Sequence, residues 1–372
     1  MVSKMNRFLV AVILLPVVLL AACTPDSSEQ NATSPSATPT AAEDAAATDT
    51  APGEVPEVVV LASDEVIPWL EAEHWWGENR HGEQLDVPHL MIAAIKPSWQ
   101  VNAQKLSVAQ KKEIFYRFML PLVMHANEMV MSRRAGLLRA QQEWASDGRL
   151  TPGSLDLLRN LSRLLPGFDE ARAGNLGADD PGIPAIIEDL LYRVDIIPPG
   201  LALGQAAYES GYATSRFAVE GNALFGQWTY GGDGIKPQEQ RASKGDHRIK
   251  AFDWPFDSVR GYFINLISHR AYEDFRRLRA ELRAAGKPLD SLTLADGLLS
   301  YSERGQAYVD TLKGIIRANG LDVADHAVFR EEPIRFIVTE QTPEDAAATR
   351  EELARMRERG ELEEIFERMN LD

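Results

Sequence analysis

The stretch that decides the fold runs from Ile197 to Trp228. It reads Ile197-Pro-Pro-Gly-Leu-Ala-Leu-Gly-Gln-Ala-Ala-Tyr-Glu-Ser-Gly-Tyr212, then Ala213-Thr-Ser-Arg-Phe-Ala218, and closes on Asn222-Ala-Leu-Phe-Gly-Gln-Trp228. Pro198 and Pro199 suit a first helical turn, where a missing N–H costs nothing. The helix they open is short, small-faced and almost uncharged until Glu209, and Gly211 ends it. Ala202, Gln205 and Ala206 precede Glu209 at helical spacing, so the carboxyl sits on the apolar stripe. A glutamate at a helix end is by default merely solvated. One at the end of a buried stripe meets a desolvation cost when ionised, which raises its pKa. That is the condition a proton donor requires.

Working outward, the 372 residues leave room for two domains, or for one domain with a long N-terminal region. The apolar content supports a sizeable core. A formal net charge of -16 argues for solubility and against non-specific nucleic-acid binding. At the N-terminus, Lys4 and Arg7 precede an apolar run from Phe8 to Leu20, short for a membrane span but right for a signal peptide. It ends Leu20-Ala-Ala-Cys23, and Cys23 is the single cysteine. This resembles a bacterial lipobox. The resemblance implies a leader over 1–22, acylation of Cys23 and a lipid anchor. Thr24, where an Asp would favour inner-membrane retention, points to the outer membrane facing the periplasm. No intrachain disulfide is available. Residues 23–57 are rich in Ser, Thr, Ala, Pro and acids, which reads as a disordered tether.

Beyond the tether, Val58–Leu61 suits a strand. His74, His81 and His89 lack the spacing of a helical zinc site, and no metal or other cofactor is placed. Ser107 with Gln110 forms a capping box for a long helix. Pro121 is expected to kink that helix or to start a new one. Further helical periodicity runs to about residue 194, making 58–180 a helical N-terminal region. After Trp228, Tyr230 to Gly234 reads as a loop, followed by a small antiparallel lobe that ends near Phe252. Asp257-Ser258 is expected to cap the next helix, and helical patterns continue to Leu321. Residues 322–372 read as an acidic C-terminal tail with one helix from Thr342 to Met369.

Ala206-Ala-Tyr-Glu-Ser-Gly-Tyr212, Asn222-Ala-Leu-Phe-Gly226 and Leu299-Ser-Tyr-Ser-Glu-Arg-Gly305, with Tyr308 after it, resemble glycoside hydrolase family 73 and its Bax-type branch. Lys111-Lys-Glu113, Leu120-Pro-Leu-Val123 and Ala126-Asn127 fit the same branch, so the resemblance covers roughly 106–321. Its specificity lies in several separated motifs in one order. The family cuts peptidoglycan as an endo-β-N-acetylglucosaminidase, with a mannosyl-glycoprotein endo-β-N-acetylglucosaminidase-like domain. The resemblance implies an α+β, mostly helical protein, with a lysozyme-like domain over 181–321 that carries a small β lobe.

Carried over residue by residue, the resemblance makes Glu209 the general acid and Tyr301 the tyrosine across the groove. Asn222, Phe225, Gly226, Trp228 and Tyr308 become substrate-binding positions. Glu239 is the candidate second carboxylate, with Asp233 and Asp246 as competitors. The family's usual Thr-Glu-Tyr context is absent around Glu239, which has glutamines on both sides. Without a placed carboxylate, the substrate's own acetamide serves as nucleophile. Arg216 and Arg304 are candidates for substrate carboxylates or for structural ion pairs. The expected partners are peptidoglycan glycan strands and, through Cys23, a membrane. Two other readings share these features: a lytic transglycosylase on the same fold, and a non-catalytic wall-binding lipoprotein.

Overall fold

The computed structural model describes residues 56–77, 80–81, 84–165, 174–229, 234–236 and 248–369. The fold is α+β and mostly helical, consistent with a lysozyme-like domain. The chain begins with β1 (Glu57–Ala62), α1 (Val66–Ala72), β2 (Arg80–His81), β3 (Gln84–Val87), β4 (Leu90–Ile92) and α2 (Pro97–Asn102). Two longer helices follow, α3 (Val108–Asp147) and α4 (Pro152–Leu164). Next come α5 (Ile183–Arg193), α6 (Pro199–Ser210) and α7 (Arg216–Gly221). A small antiparallel sheet is made of β5 (Trp228–Thr229), β6 (Gly234–Ile235) and β7 (Arg248–Lys250), with β7 in the middle. The helices α8 (Pro255–Ser268), α9 (Glu273–Ala284), α10 (Ser291–Leu294) and α11 (Gln306–Ala318) precede β8 (Val328–Phe329) and β9 (Arg335–Glu340). The chain closes with α12 (Pro343–Glu358) and α13 (Glu361–Met369).

The capping box of α3 forms as its sequence dictates: Ser107 Oγ accepts from Gln110 N–H, and the Gln110 side chain accepts from Ser107 N–H. Pro121, however, neither ends this helix nor starts another. A proline inside a helix leaves the carbonyl four residues earlier without its donor. Here that carbonyl belongs to Arg117, and the indole N–H of Trp75 donates to it at 2.9 Å. Trp75 is fully buried, and the Arg117 guanidinium lies 4.5 Å from its ring centroid. The donor that repairs the helix comes from a segment forty-two residues upstream. Local sequence does not reveal it.

The C-terminal segment is also more than a tail with one helix. β9 is the middle strand of a parallel sheet, between β1 and β4, with Val58 opposite Phe336 and Met91 also opposite Phe336. Lys96 pairs with the buried Glu340 at 2.5 Å, and Arg350 donates to the Val60 carbonyl. Gly360, in the left-handed region at φ +72°, divides the expected Thr342–Met369 helix into α12 and α13. The leader, Cys23 and the tether up to Val55 lie outside the described residues. Among the described residues no helix is long and apolar enough to cross a membrane.

Helix α6 is at the centre. Every residue from Pro199 to Ala207 is buried, so the helix is enclosed on all sides rather than along one stripe. Small side chains permit this. A Cβ on Gly200 would lie 2.3 Å from the Leu321 carbonyl oxygen, and one on Gly204 would press on Leu312 and Ile316 of α11. Pro198 offers no capping side chain, so Asp325 accepts from Gly200 N–H at 2.9 Å and ties the same carboxylate to Ser291. Upstream, the buried Arg279 gathers the carbonyls of Tyr192, Arg193, Asp195 and Ile196 and so fixes the approach to α6.

Trp75→Phe keeps an aromatic ring but removes the donor to Arg117. It is expected to destabilise the fold by about 1–3 kcal/mol, the usual cost of stranding a buried polar group. Urea denaturation monitored by circular dichroism measures this; an unchanged midpoint contradicts the account.

Candidate active site

Glu209 emerges from the last turn of α6, between the exposed Tyr208 and the buried Ser210. Its carboxyl is partly buried, and burial raises its pKa; a hydrogen bond from Tyr308 works in the opposite direction and is outweighed. Tyr308, itself buried, belongs to a relay. Tyr262 Oη donates to Gln205 Oε1 at 2.6 Å, and Gln205 Nε2 donates to Tyr308 Oη at 2.9 Å. The Tyr308 proton is then directed to Glu209. Gln205 lies one turn before Glu209 on α6, so the helix that carries the carboxyl also carries the amide that orients its partner.

Aromatic rings enclose the carboxyl. Tyr301 stacks on Tyr308 with ring centroids 5.5 Å apart and an interplanar angle of 9°. Tyr208 meets Tyr308 edge-on at 5.6 Å, and Tyr272 meets Tyr301 at 5.8 Å. Burial raises the pKa of Tyr301, Tyr308 and Tyr272, and the charge of Glu209 adds to the rise at each. Tyr272 is a member of this group that sequence reasoning missed, because it looks like the first residue of a charged helix. Gly226 has φ +62°, and a Cβ there would lie 3.5 Å from Glu209 Oε2. The backbone at Gly226 therefore passes close beside the carboxyl, and its left-handed φ disfavours any residue with a side chain there.

The turn after Glu209 is unusual. Gly211, Tyr212 and Ala213 have φ of 59°, 60° and 60°. For the two residues with a Cβ, this region costs roughly 1–2 kcal/mol each. Surrounding contacts hold it in place. Ser210 Oγ donates to the Ala206 carbonyl and accepts from Ala213 N–H. Trp99 Nε1 donates to the Tyr212 carbonyl at 3.0 Å, and Gln100 Nε2 to that of Thr214 at 2.9 Å. An apolar cavity bounded by Trp99, Phe115, Phe118 and Ala213 lies beside this turn; among the described residues Lys96 is the titratable one that lines it.

The other expected site residues occupy varied places. Tyr301 Oη donates to the Phe225 carbonyl at 3.1 Å, so its hydroxyl buttresses the backbone next to Gly226. The Phe225 ring is buried and stacked on Tyr262 at 4.0 Å, as part of the core. Trp228, by contrast, is 46% exposed on β5. Asn222 accepts from Ile95 N–H, and its amide nitrogen donates to the carbonyls of Phe252 and Asp253. It ties the N-terminal region to the β lobe. Ser258 does not cap α8, which begins earlier at Pro255. Its hydroxyl accepts from Leu224 N–H and anchors the 222–228 loop. Arg216 pairs with Glu220, and Arg304 donates to Tyr208 Oη. Glu239, Asp233 and Asp246 lie outside the described residues.

Residues 185–321 match the family model described as mannosyl-glycoprotein endo-beta-N-acetylglucosaminidase. The chain is also 29% identical over 219 residues to "Protein bax" of Escherichia coli (strain K12), a span covering 58% of this chain and 72% of that protein. No solved structure matches. The chain is thus similar to a Bax-type, glucosaminidase-like protein, and the 185–321 segment that matches the glucosaminidase family model contains Glu209, the 222–228 loop, Tyr301 and Tyr308.

Tyr308→Phe removes a hydrogen bond that favours the ionised form of Glu209, so the raised carboxyl pKa is expected to rise further. Carbon-13 NMR titration of the glutamate carboxyl carbons reads the shift. Movement to lower pH contradicts the relay.

Proposed function

We propose that the protein is a peptidoglycan hydrolase, an endo-β-N-acetylglucosaminidase with Glu209 as its general acid. The observation that carries this reading is a carboxyl whose pKa burial raises, on a helix end inside the matched domain. A carboxyl that holds its proton more tightly than an ordinary glutamate can give that proton to the glycosidic oxygen as the C1–O bond breaks and the sugar gains oxocarbenium character. Water then supplies the hydroxyl at C1. Its proton goes to Glu239 acting as base or, where the substrate's acetamide forms the first bond to C1, back to Glu209. The exposed rings of Trp228 and Tyr208 suit the apolar faces of sugar rings. Tyr301 and Tyr308 act from behind, holding the Gly226 backbone and the carboxyl in register.

Within this reading, Glu209→Gln lowers kcat on purified sacculi by about 100-fold or more, the scale of losing one proton donor. Mass analysis of the products shows reducing N-acetylglucosamine ends. Anhydro-muramyl ends assign a lytic transglycosylase instead, and sacculus binding without fragments, identical in the variant, assigns a wall-binding protein.

The lipobox-like Leu20-Ala-Ala-Cys23 supports a lipid-anchored protein at the outer membrane, with the 23–57 tether giving the domain reach to the wall. Cys23→Ser is expected to move the protein from the outer-membrane fraction on cell fractionation. Retention there contradicts acylation at this residue.

A further inference from the structure

Two histidines and a glutamate converge in the N-terminal region, with no part in the site around Glu209. His89 sits in the short link between β3 and β4. Its carbonyl accepts from Arg335 N–H and its own N–H donates to Glu332, so its backbone is fixed to the start of β9. The residue is 4% exposed, and its ring stacks on Phe329 at 4.1 Å. His125 lies on α3, one turn past Pro121, buried with its ring 5.1 Å from that of Phe256. Glu128 follows at i+3 on the same helix, with its side chain 53% exposed.

The three ligand-type atoms form a nearly regular triangle. His89 Nε2 lies 3.4 Å from His125 Nδ1, and Glu128 Oε2 lies 3.6 Å from His125 Nδ1 and 3.9 Å from His89 Nε2. A point equidistant from all three lies about 2.1 Å from each, which is the length of a zinc–imidazole or zinc–carboxylate bond. One proton can serve the contact between the two rings, but the carboxylate stands beyond hydrogen-bonding distance of both nitrogens. A cation at the centre would lie within bonding distance of all three at once.

We propose that His89, His125 and Glu128 form a binding site for a zinc-type divalent cation that links the β3–β4 segment to helix α3. Two imidazoles and one carboxylate suit zinc and the later first-row metals, and do not suit magnesium or calcium, which take oxygen ligands. The exposed side of Glu128 gives the ion a way in and leaves a fourth position for water. Phe329 and Phe256 hold the two rings and exclude other ligands. The ion would join two stretches of chain that, in sequence, are thirty-six residues apart. The histidine spacing therefore carries no zinc signature. The local trace is His125-x-x-Glu128 on a helix.

The test uses the tag-free full chain, stripped by chelator and titrated with zinc chloride in a calorimeter. One equivalent binds per chain, magnesium chloride gives no heat, and free zinc at 100 times Kd raises the folding equilibrium constant about 100-fold, read as a higher Tm. Glu128→Ala, at an exposed side chain the fold tolerates, loosens zinc about 10-fold or more and leaves the metal-free Tm unchanged. Cobalt(II) substitution gives the visible bands of a four-coordinate nitrogen and oxygen site, and His125→Gln abolishes them. Absence of stoichiometric zinc uptake overturns the proposal, as does uptake that Glu128→Ala leaves unaltered. None of these readouts depends on glycan cleavage.

Discussion

A helix enclosed on all sides over its first turns has little water to satisfy the polar groups there, so those groups must find protein partners. Helix α6 meets this constraint with groups drawn from distant parts of the chain. Asp325 takes the Gly200 N–H at the first turn, and Ser210 binds back to Ala206 at the last. Arg279 collects the carbonyls that lead into the helix. Burial lowers the Arg279 guanidinium to about 10. Burial also acts to raise the Asp195 carboxyl, but Arg283, with the charges of Arg279 and Arg134, outweighs it and holds Asp195 below the usual range. This cluster of one carboxylate and three guanidinium groups holds the approach to α6 in place.

Enclosure also explains the chemistry at the helix end. If α6 were half-exposed, Glu209 would be solvated and would keep an ordinary pKa. Because the preceding turns are buried and the Gly226 backbone lies close to the carboxyl, ionisation is penalised. The relay from Tyr262 through Gln205 to Tyr308 then fixes the direction of the carboxyl without supplying a charge that would cancel the penalty. An arginine in place of Tyr308 would pair with the carboxylate and lower its pKa, removing the proton donor.

Several features were legible in the sequence because their causes are local. The capping box of α3, the strand at Val58–Leu61 and the small antiparallel lobe after Trp228 each follow from a few adjacent side chains. The raised pKa of Glu209 could be read from the small apolar residues one and two turns earlier. What was not legible depends on partners far away in sequence. Arg335-Phe-Ile-Val-Thr carries the same β-branched signal as β1, but acidic surroundings obscured its place in the middle of a sheet. Pro121 stays within a continuous helix because of Trp75. Asn222 and Phe225 sit in a motif that suggests ligand contact, yet the amide is bound to three backbone groups and the ring to Tyr262.

The N-terminal region has a physical reason to accompany the domain. The turn at Gly211, Tyr212 and Ala213 places two non-glycine residues in the left-handed region, and such a conformation persists only where neighbours over-determine it. Part of that support comes from outside the matched segment. Trp99 and Gln100 bind the carbonyls of Tyr212 and Thr214, while Phe115 packs edge-on against the Tyr212 ring at 5.6 Å. Ile95 N–H likewise engages Asn222 at the start of the loop that brings Gly226 to the carboxyl. The segment between Ile95 and Phe115 thus touches both backbone stretches that shape the surroundings of Glu209. A domain cut at residue 185 would keep the carboxyl but lose the groups that hold its turn and its loop. The unit able to hold Glu209 in this environment therefore begins well before the matched segment.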